Sequence, residues 1–533
     1  MISDTVSSLS PLPAVAIALL PILFYLFAIS KRQHFPLING KRLFEISDAS
    51  SKKRYLTDGH DLIKKGLQKA SVFRIISDNG PKTVLAPKYA TEIRSHPGLS
   101  FGISTEDEFH AYIRGFEPFQ LGPRSEELFQ VAIRTKLTQS LASVMEPLSA
   151  ETSVVLEKEW TDKNDWHNIT LKPCILRMVA QLSSKVFLGD QICRDPNWLR
   201  ITVDYTVDSF IAAVALRQWP RLIRPLVANF LPSCQKLRRE LDEARSIIKP
   251  VLQSRREAKQ TTAQEGKTPV RFNDAMQWME DVAKGRPYDA AVMQISFSVV
   301  AIHTTSDMLT QVLYDLCGKE DIIQALRLEV INVVREEGWG KQSLHKLKLM
   351  DSVLKESQRL KPISVGEFCF SPPLWWPIAG LGVTLTHCII ITASMRRTAT
   401  EDIKLSDGNL LRKGTSLLVS GDNMWDPSIY PDPETFDPYR FLKLREVPGH
   451  ETSAQLVAPS ADHFGFGYGN HACPGRFFAV NEVKIALAHM LLKYDIKLAP
   501  GIPEPVVSKI GLNRTCDTKA VVSIRRRKEE IIL

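Results

Sequence analysis

The run Phe464-Gly-Phe-Gly-Tyr-Gly-Asn-His-Ala-Cys473-Pro-Gly-Arg-Phe-Phe-Ala479 sets one cysteine in a glycine-rich loop that leads straight into a helix. Gly465, Gly467 and Gly469 permit positive φ and let bare backbone approach a flat partner. After Gly475 the apolar residues Phe477, Phe478, Val480, Val483, Ile485 and Ala486 predict a long, largely buried helix. Cys473 therefore stands just ahead of a helix N-terminus, where unpaired N-H groups and the helix dipole favour a thiolate. A thiolate so placed is a nucleophile or a soft metal ligand. His471 is the nearest base for the first role, but a base two residues away in a loop rarely points at its neighbour.

The remainder of the chain sets the context. Its 533 residues carry a net charge of +9, 44% hydrophobic and 24% charged residues, with no Gly/Ser or Pro-rich linker, so one large core is expected. Eight cysteines without CxxC spacing argue against a disulfide framework or a zinc site. Residues 12–29 are uncharged and precede Lys31 and Arg32; about eighteen helical residues rise ~27 Å, enough to cross a hydrocarbon core. With the positive charges after the apolar run, residues 1–32 read as a single membrane anchor and residues 33–533 as a cytosolic body. The excess of positive charge suits an anionic membrane face and an acidic redox partner. No basic-aromatic cluster suggests nucleic acid.

In order, residues 47–70 predict a helix and Val72–Ser77 with Lys82–Ala86 a strand pair. Residues 98–122, rich in Phe, Gly and Pro, read as a long irregular lid segment. Helical patterns cover 126–148, 149–160 and 170–188; residues 203–260 read as two helices, and 256–270 as a polar loop. The longest helical pattern spans 287–317, apolar all round, as a central buried helix should be. Ala301, His303 and Thr304 interrupt it. Leu354-Lys-Glu356-Ser-Gln-Arg359 places Glu356 and Arg359 on one helix face. Phe436-Asp-Pro-Tyr-Arg440-Phe and Met395-Arg-Arg397 supply further arginines.

Phe466-x-x-Gly469-x-His471-x-Cys473-x-Gly475 resembles the haem-binding signature of the cytochrome P450 family, and the other motifs follow in the family's order. The resemblance implies a mainly α fold with small β-sheets and one N-terminal transmembrane helix. It also implies haem b, with Cys473 as axial iron ligand in a loop that includes Phe466 and Gly467. Arg397, His471, His463 and Arg134 match or neighbour the positions that hold the haem propionates, although Gln130 stands where an aromatic residue is usual. Ala301, His303 and Thr304 occupy the Gly, acid and alcohol places of the helix over the haem, which makes Thr304 and His303 the expected proton-relay residues. Glu356, Arg359 and Arg440 correspond to a buried structural network. The implied activity is monooxygenation with O2 and NADPH electrons delivered by a reductase, with cytochrome b5 as a further partner. The location it implies is the endoplasmic reticulum membrane, facing the cytosol. The anchor, the Ala-Ile-His-Thr-Thr run and the Cys-Pro-Gly-Arg-Phe-Phe-Ala ending are most similar to filamentous-fungal enzymes of the ent-kaurene oxidase kind, which points to an apolar terpenoid or meroterpenoid substrate. An O2-independent haem-thiolate isomerase or dehydratase is the alternative reading.

One stretch breaks the family's continuity. Gly366–Thr392 is apolar, contains two adjacent tryptophans and shows neither clean period. Gly366-Glu367 and Thr392-Ala393 can be encoded with GT and CAG splice boundaries, and removal of 27 residues joins Val365 to Ala393 in frame, leaving 506. The expectation is a translated intron; a membrane-facing insertion is the alternative. Present in the protein, it would enter beside the haem and threaten activity, and a non-catalytic product whose insert prevents haem incorporation is the second alternative reading.

Overall fold

The computed structural model describes residues 35–120, 128–268, 270–362, 390–391, 393–505, 508–510 and 512–533. The anchor expected over 1–32 and nearly all of 366–392 lie outside these residues. Among the described residues no helix is long and apolar enough to cross a membrane.

The fold is mainly helical, with small sheets at its margin. The chain enters through α1 (Ala49–Lys69), which packs on a five-stranded sheet. That sheet is built from β1 (Val72–Ser77), β2 (Gly80–Leu85), β3 (Leu99–Ser100), β4 (Ala393–Ala399) and β5 (Ser416–Ser420), in the order β1-β2-β5-β4-β3. Strands β1 and β2 pair antiparallel from Val72↔Leu85 to Ser77↔Gly80, so the expected hairpin is present.

The helical body comprises α2 (Phe101–Phe109), α3 (Thr138–Trp160), α4 (Leu171–Leu188), α5 (Pro196–Arg217), α6 (Pro232–Gln264), α7 (Ala290–Leu316), α8 (Glu320–Glu337), α9 (Lys348–Leu360) and α10 (Arg476–Lys493). Helix α7 runs about 40 Å at ~1.5 Å per residue through the centre, packed on α4, α5 and α6. The Asp289 carboxylate caps it by accepting from the Val292 N-H. Its nearly all-round burial follows from its apolar composition: water-facing positions are few, so only the middle of a large core can hold it.

Four expectations are corrected. The 98–122 segment contains α2, whose Ser100 N-cap accepts from the Ile103 N-H. Residues 256–264 continue α6 instead of forming a loop: they carry no large apolar residue, but Lys259 Nζ ties this end to the helix Ala275–Ala283 by donating to Gln277 Oε1 at 2.7 Å and Glu280 Oε2 at 2.6 Å. At 33 residues α6 exceeds the 27 of α7. The patterns at 126–148 and 149–160 join: a widened π-type turn at Ala132–Leu137 runs into α3 without a break.

Candidate active site

The cysteine loop is held in a tight hairpin. The Gly467 N-H donates to the Phe464 carbonyl at 2.8 Å and the Cys473 N-H to the Phe466 carbonyl at 2.8 Å. Gly469 sits at φ +77°, and a Cβ there would lie 2.1 Å from the Arg94 carbonyl oxygen. A Cβ on Gly465 would lie 2.0 Å from Gln358 Oε1. Glycine at these two places lets the loop press against Arg94 on one side and α9 on the other. Cys473 precedes α10 by three residues. Burial pushes its thiol pKa up, while the N-H groups of Gly475 and Arg476 and the Arg476 charge pull the other way.

Behind the loop, α9 carries a saturated ionic network. Arg359 Nε and Nη2 donate to the two Glu356 oxygens at 2.8 and 2.9 Å, and Arg440 Nε donates to Glu356 Oε1 at 3.0 Å. The Asp437 N-H adds a contact at 3.2 Å, and Arg359 Nη2 reaches the Pro433 carbonyl at 2.8 Å. Both Glu356 and Arg359 are 0% exposed. Lys355 donates to the carbonyls of Ser453, Gln455 and Ala458 at 2.9, 2.6 and 3.0 Å, pinning the chain just upstream of the cysteine loop. Arg440, distant in sequence, therefore joins the Glu356–Arg359 pair by direct contact with Glu356.

Cys473 shares a cavity of about 300 Å³ with α7. Val299, Val300, Ala301, Thr304, Thr305 and Met308 line it from that helix. Phe101, Phe109, Phe119, Phe129, Phe187 and Phe478 make most of the remainder apolar. Thr304 Oγ1 shares its proton between the carbonyls of Val300 and Ala301, at 2.9 and 3.1 Å. A hydroxyl that donates backward along its own helix meets the cavity as an acceptor.

Phe466, Gly467, His471, Arg397 and Arg134 also line the cavity. Arg134 Nη2 donates to the Asn470 carbonyl at 3.3 Å. The His471 ring is held by the Leu99 carbonyl, and burial, then the charges of Arg397 and Arg134, push its pKa down to about 4. Burial alone pushes the Arg397 guanidinium down to about 10, and its Nε has no hydrogen-bond partner among the described residues. A buried cation of this kind calls for an anion.

Two expected site residues stand elsewhere. His303 does not line the cavity; its Nε2 lies 3.1 Å from the Val203 carbonyl of α5, and burial pushes its pKa down to about 4. The helix phase that turns Thr304 inward carries the residue before it toward α5. His463, also off the cavity, lies between α9 and the loop: its Nε2 is 3.2 Å from the Lys355 carbonyl and its Nδ1 accepts from the Gly465 N-H at 3.4 Å. It braces the loop and does not face the cofactor space. Sequence reasoning missed Gln358, which lines the cavity beside Gly465, and Arg396, next to Arg397 on β4. The lining aromatics of α3's approach, α4 and α10 carry no motif that would have found them.

The family profile described as Cytochrome P450 matches residues 124–367 and 389–514. The chain is 47% identical over 527 residues to the cytochrome P450 monooxygenase adrA of Penicillium rubens, covering 98% of this chain and 97% of that protein. It is 47% identical over 493 residues to the cytochrome P450 monooxygenase trt6 of Aspergillus terreus, covering 92% and 94%. Among solved structures, a retinoic acid-bound cyanobacterial CYP120A1 matches with a TM-score of 0.62 at 18% identity, covering 90% of this chain and 96% of that one. The chain belongs to the cytochrome P450 family. It is a monooxygenase, and membership brings haem b with a cysteine thiolate on its iron.

The residues present fit that group. Cys473 is on the cavity wall with N-H groups aimed at its sulfur, and the partnerless Arg397 Nε supplies a buried donor for a propionate, with Arg134 and His471 at the same cavity. The break in the family match, from 368 to 388, falls inside 366–392.

Proposed function

We propose that the chain oxidises an apolar terpenoid or meroterpenoid, using O2 and electrons passed from NADPH through a reductase. The observation that carries this reading is one aromatic-walled cavity that contains both the Cys473 thiol and the Thr304 hydroxyl. Haem, when bound, supplies the one-electron and O2 chemistry. Cys473 would ligate the iron, and Arg397, Arg134 and His471 would hold the propionates. Thr304 accepts a hydrogen bond at the cavity wall and orders water there for proton delivery. The Phe-rich walls exclude bulk water and hold a hydrocarbon skeleton by burial. Glu356, Arg359 and Arg440 hold the cysteine side in register.

Residues 1–32 anchor this body to the endoplasmic reticulum membrane, with 33–533 in the cytosol beside the reductase and cytochrome b5. Residues 366–392 are a retained intron, a reading supported by their splice-compatible ends and by the interrupted family match.

The test is the carbon monoxide difference spectrum of reduced microsomes bearing the full chain or the form lacking 366–392, followed by terpenoid incubations with NADPH and reductase. A strongly red-shifted Soret band and products one oxygen atom heavier are expected, with the shorter form the better loaded. Turnover that persists without NADPH and O2 would instead identify an isomerase or dehydratase. A dominant mature transcript still carrying the 366–392 codons would defeat the intron reading.

A further inference from the structure

Strand β4 presents four consecutive residues, Ser394, Met395, Arg396 and Arg397, to the cavity. A regular strand shows alternate residues to opposite faces, so adjacent side chains should part. Here Ser394 pairs with Val419 and Arg397 with Leu417, which leaves one extra residue on β4. Met395 absorbs it at φ +54°, a backbone region that a non-glycine side chain enters only at a β-bulge, a turn or a strained site. The bulge brings two neighbouring guanidinium groups to one apolar space.

Their surroundings differ. Arg397 is 2% exposed, and its guanidinium carbon lies 5.8 Å from the Phe101 ring centre. Arg396 is only half-buried, and its charge acts on Glu108 of α2. Burial would lift the pKa of the α2 carboxyl Glu108, yet the charges of Lys82, Arg217 and Arg396 hold it well below the usual carboxylate range. The Glu108 oxygens already accept from Lys82 at 2.7 Å, Arg217 at 2.6 Å and Asn79 at 3.3 Å. Lys82, Arg217 and Arg396 thus gather three positive charges around two carboxylates, Glu108 and Asp78, the latter paired with Arg217, which leaves one positive charge in excess next to Phe109 of the same helix; Phe109 stacks on Phe119 at 4.0 Å in the cavity wall. A guanidinium in such a wall recognises planar oxygen anions bidentately and discriminates against their neutral esters.

We propose that Arg396 reads a carboxylate on an otherwise apolar substrate, as a specificity residue separate from the cofactor-directed Arg397. This rests on the monooxygenase reading above and adds an acid group to its substrate class. The oxidation such an acid undergoes lies elsewhere on its skeleton, so a preceding carboxylate-forming step must supply it.

The haem-loaded protein is titrated spectrally with two probe pairs, abietic acid against methyl abietate and lauric acid against methyl laurate. The wild type is expected to bind the acid of at least one pair about tenfold more tightly than its ester. Arg396→Gln should abolish that preference and leave the ester Kd and the carbon monoxide spectrum unchanged, whereas Arg396→Lys should retain part of it. Acid preference confined to the lauric pair would keep the role of Arg396 and overturn only the terpenoid reading. Equal binding of acid and ester in both pairs overturns the proposal. So does loss of haem in Arg396→Gln without a change in discrimination, which would move Arg396 to the cofactor's propionates.

Discussion

The cysteine side and the α7 side of the cavity are built on opposite principles. Behind the loop, Glu356, Arg359, Arg440 and Lys355 spend nearly every polar atom on a named partner, and directional bonds fix position to a fraction of an ångström. Around α7 the contacts are mostly apolar, and hydroxyls such as those of Thr304 and Thr310 bond back to their own helix. Apolar packing tolerates changes of shape at constant volume far better than a buried ionic network tolerates loss of a member. The difference teaches a division of labour: one wall holds the reactive sulfur still, and the other conforms to what enters.

The sharpest way to break this contrast is to remove one member of the network. Arg359→Ala leaves Glu356 buried with half its donors gone, at a cost of ~3–5 kcal/mol. The expected result is near-complete loss of the thiolate Soret band and of soluble, folded protein, read by spectrum and thermal unfolding. An Arg359→Ala protein that loads haem normally would refute the claim that the network fixes the loop.

On the opposite wall, Thr304→Val swaps a hydroxyl for a methyl of similar shape. Stability and the carbon monoxide spectrum should hold. Product formed per NADPH should fall by roughly a hundredfold, with peroxide released in its place, because proton delivery depends on the lost acceptor. Unchanged coupling would leave Thr304 as a helix-packing residue only.

A smaller effect separates His303 from the cavity chemistry. Its folded pKa of about 4 lies below the ordinary value of 6.5, so the folded state prefers the neutral ring. Stability from this group is fully present above about 6.5 and is lost as pH falls toward about 4. His463, His471 and His489, also depressed by burial, act in the same direction. Denaturation at about pH 7 and about pH 5 should show His303→Gln removing up to one proton from that dependence, ~1.4 kcal/mol per pH unit at most. Catalytic pH profiles should stay in place. A shifted profile would return His303 to the proton path.

What could be read from the sequence follows the same division. The cysteine loop is a contiguous motif whose chemistry is written in adjacent letters; the Glu356–Arg359 pair could be placed on one helix face, but its burial came only from the resemblance. Arg440, 84 positions from Glu356, joined them only through a resemblance. The inward face of α7 was legible as a buried helix, but not its rotation: which of His303 and Thr304 meets the cavity depends on how α5 packs, as the Val203 contact shows. His463 misled because a histidine ten residues before a cysteine says nothing about direction. The helix α2 was hidden by Phe, Gly and Ser, whose weak helical preference was outweighed by the Ser100 cap and by packing.

The bulge at Met395 has a further consequence. Because one irregular step brings both Arg396 and Arg397 to the cavity, any change of chain length just ahead of it acts on two guanidinium positions at once. A shift of the strand by a single position would put Arg396 in the place of Arg397 and Met395 in the place of Arg396, or Arg397 in the place of Arg396 and Thr398 in the place of Arg397, so that one of the two guanidinium positions is lost either way. Variation in this strand is therefore coupled: a change that moves one of the two guanidinium groups moves the other with it.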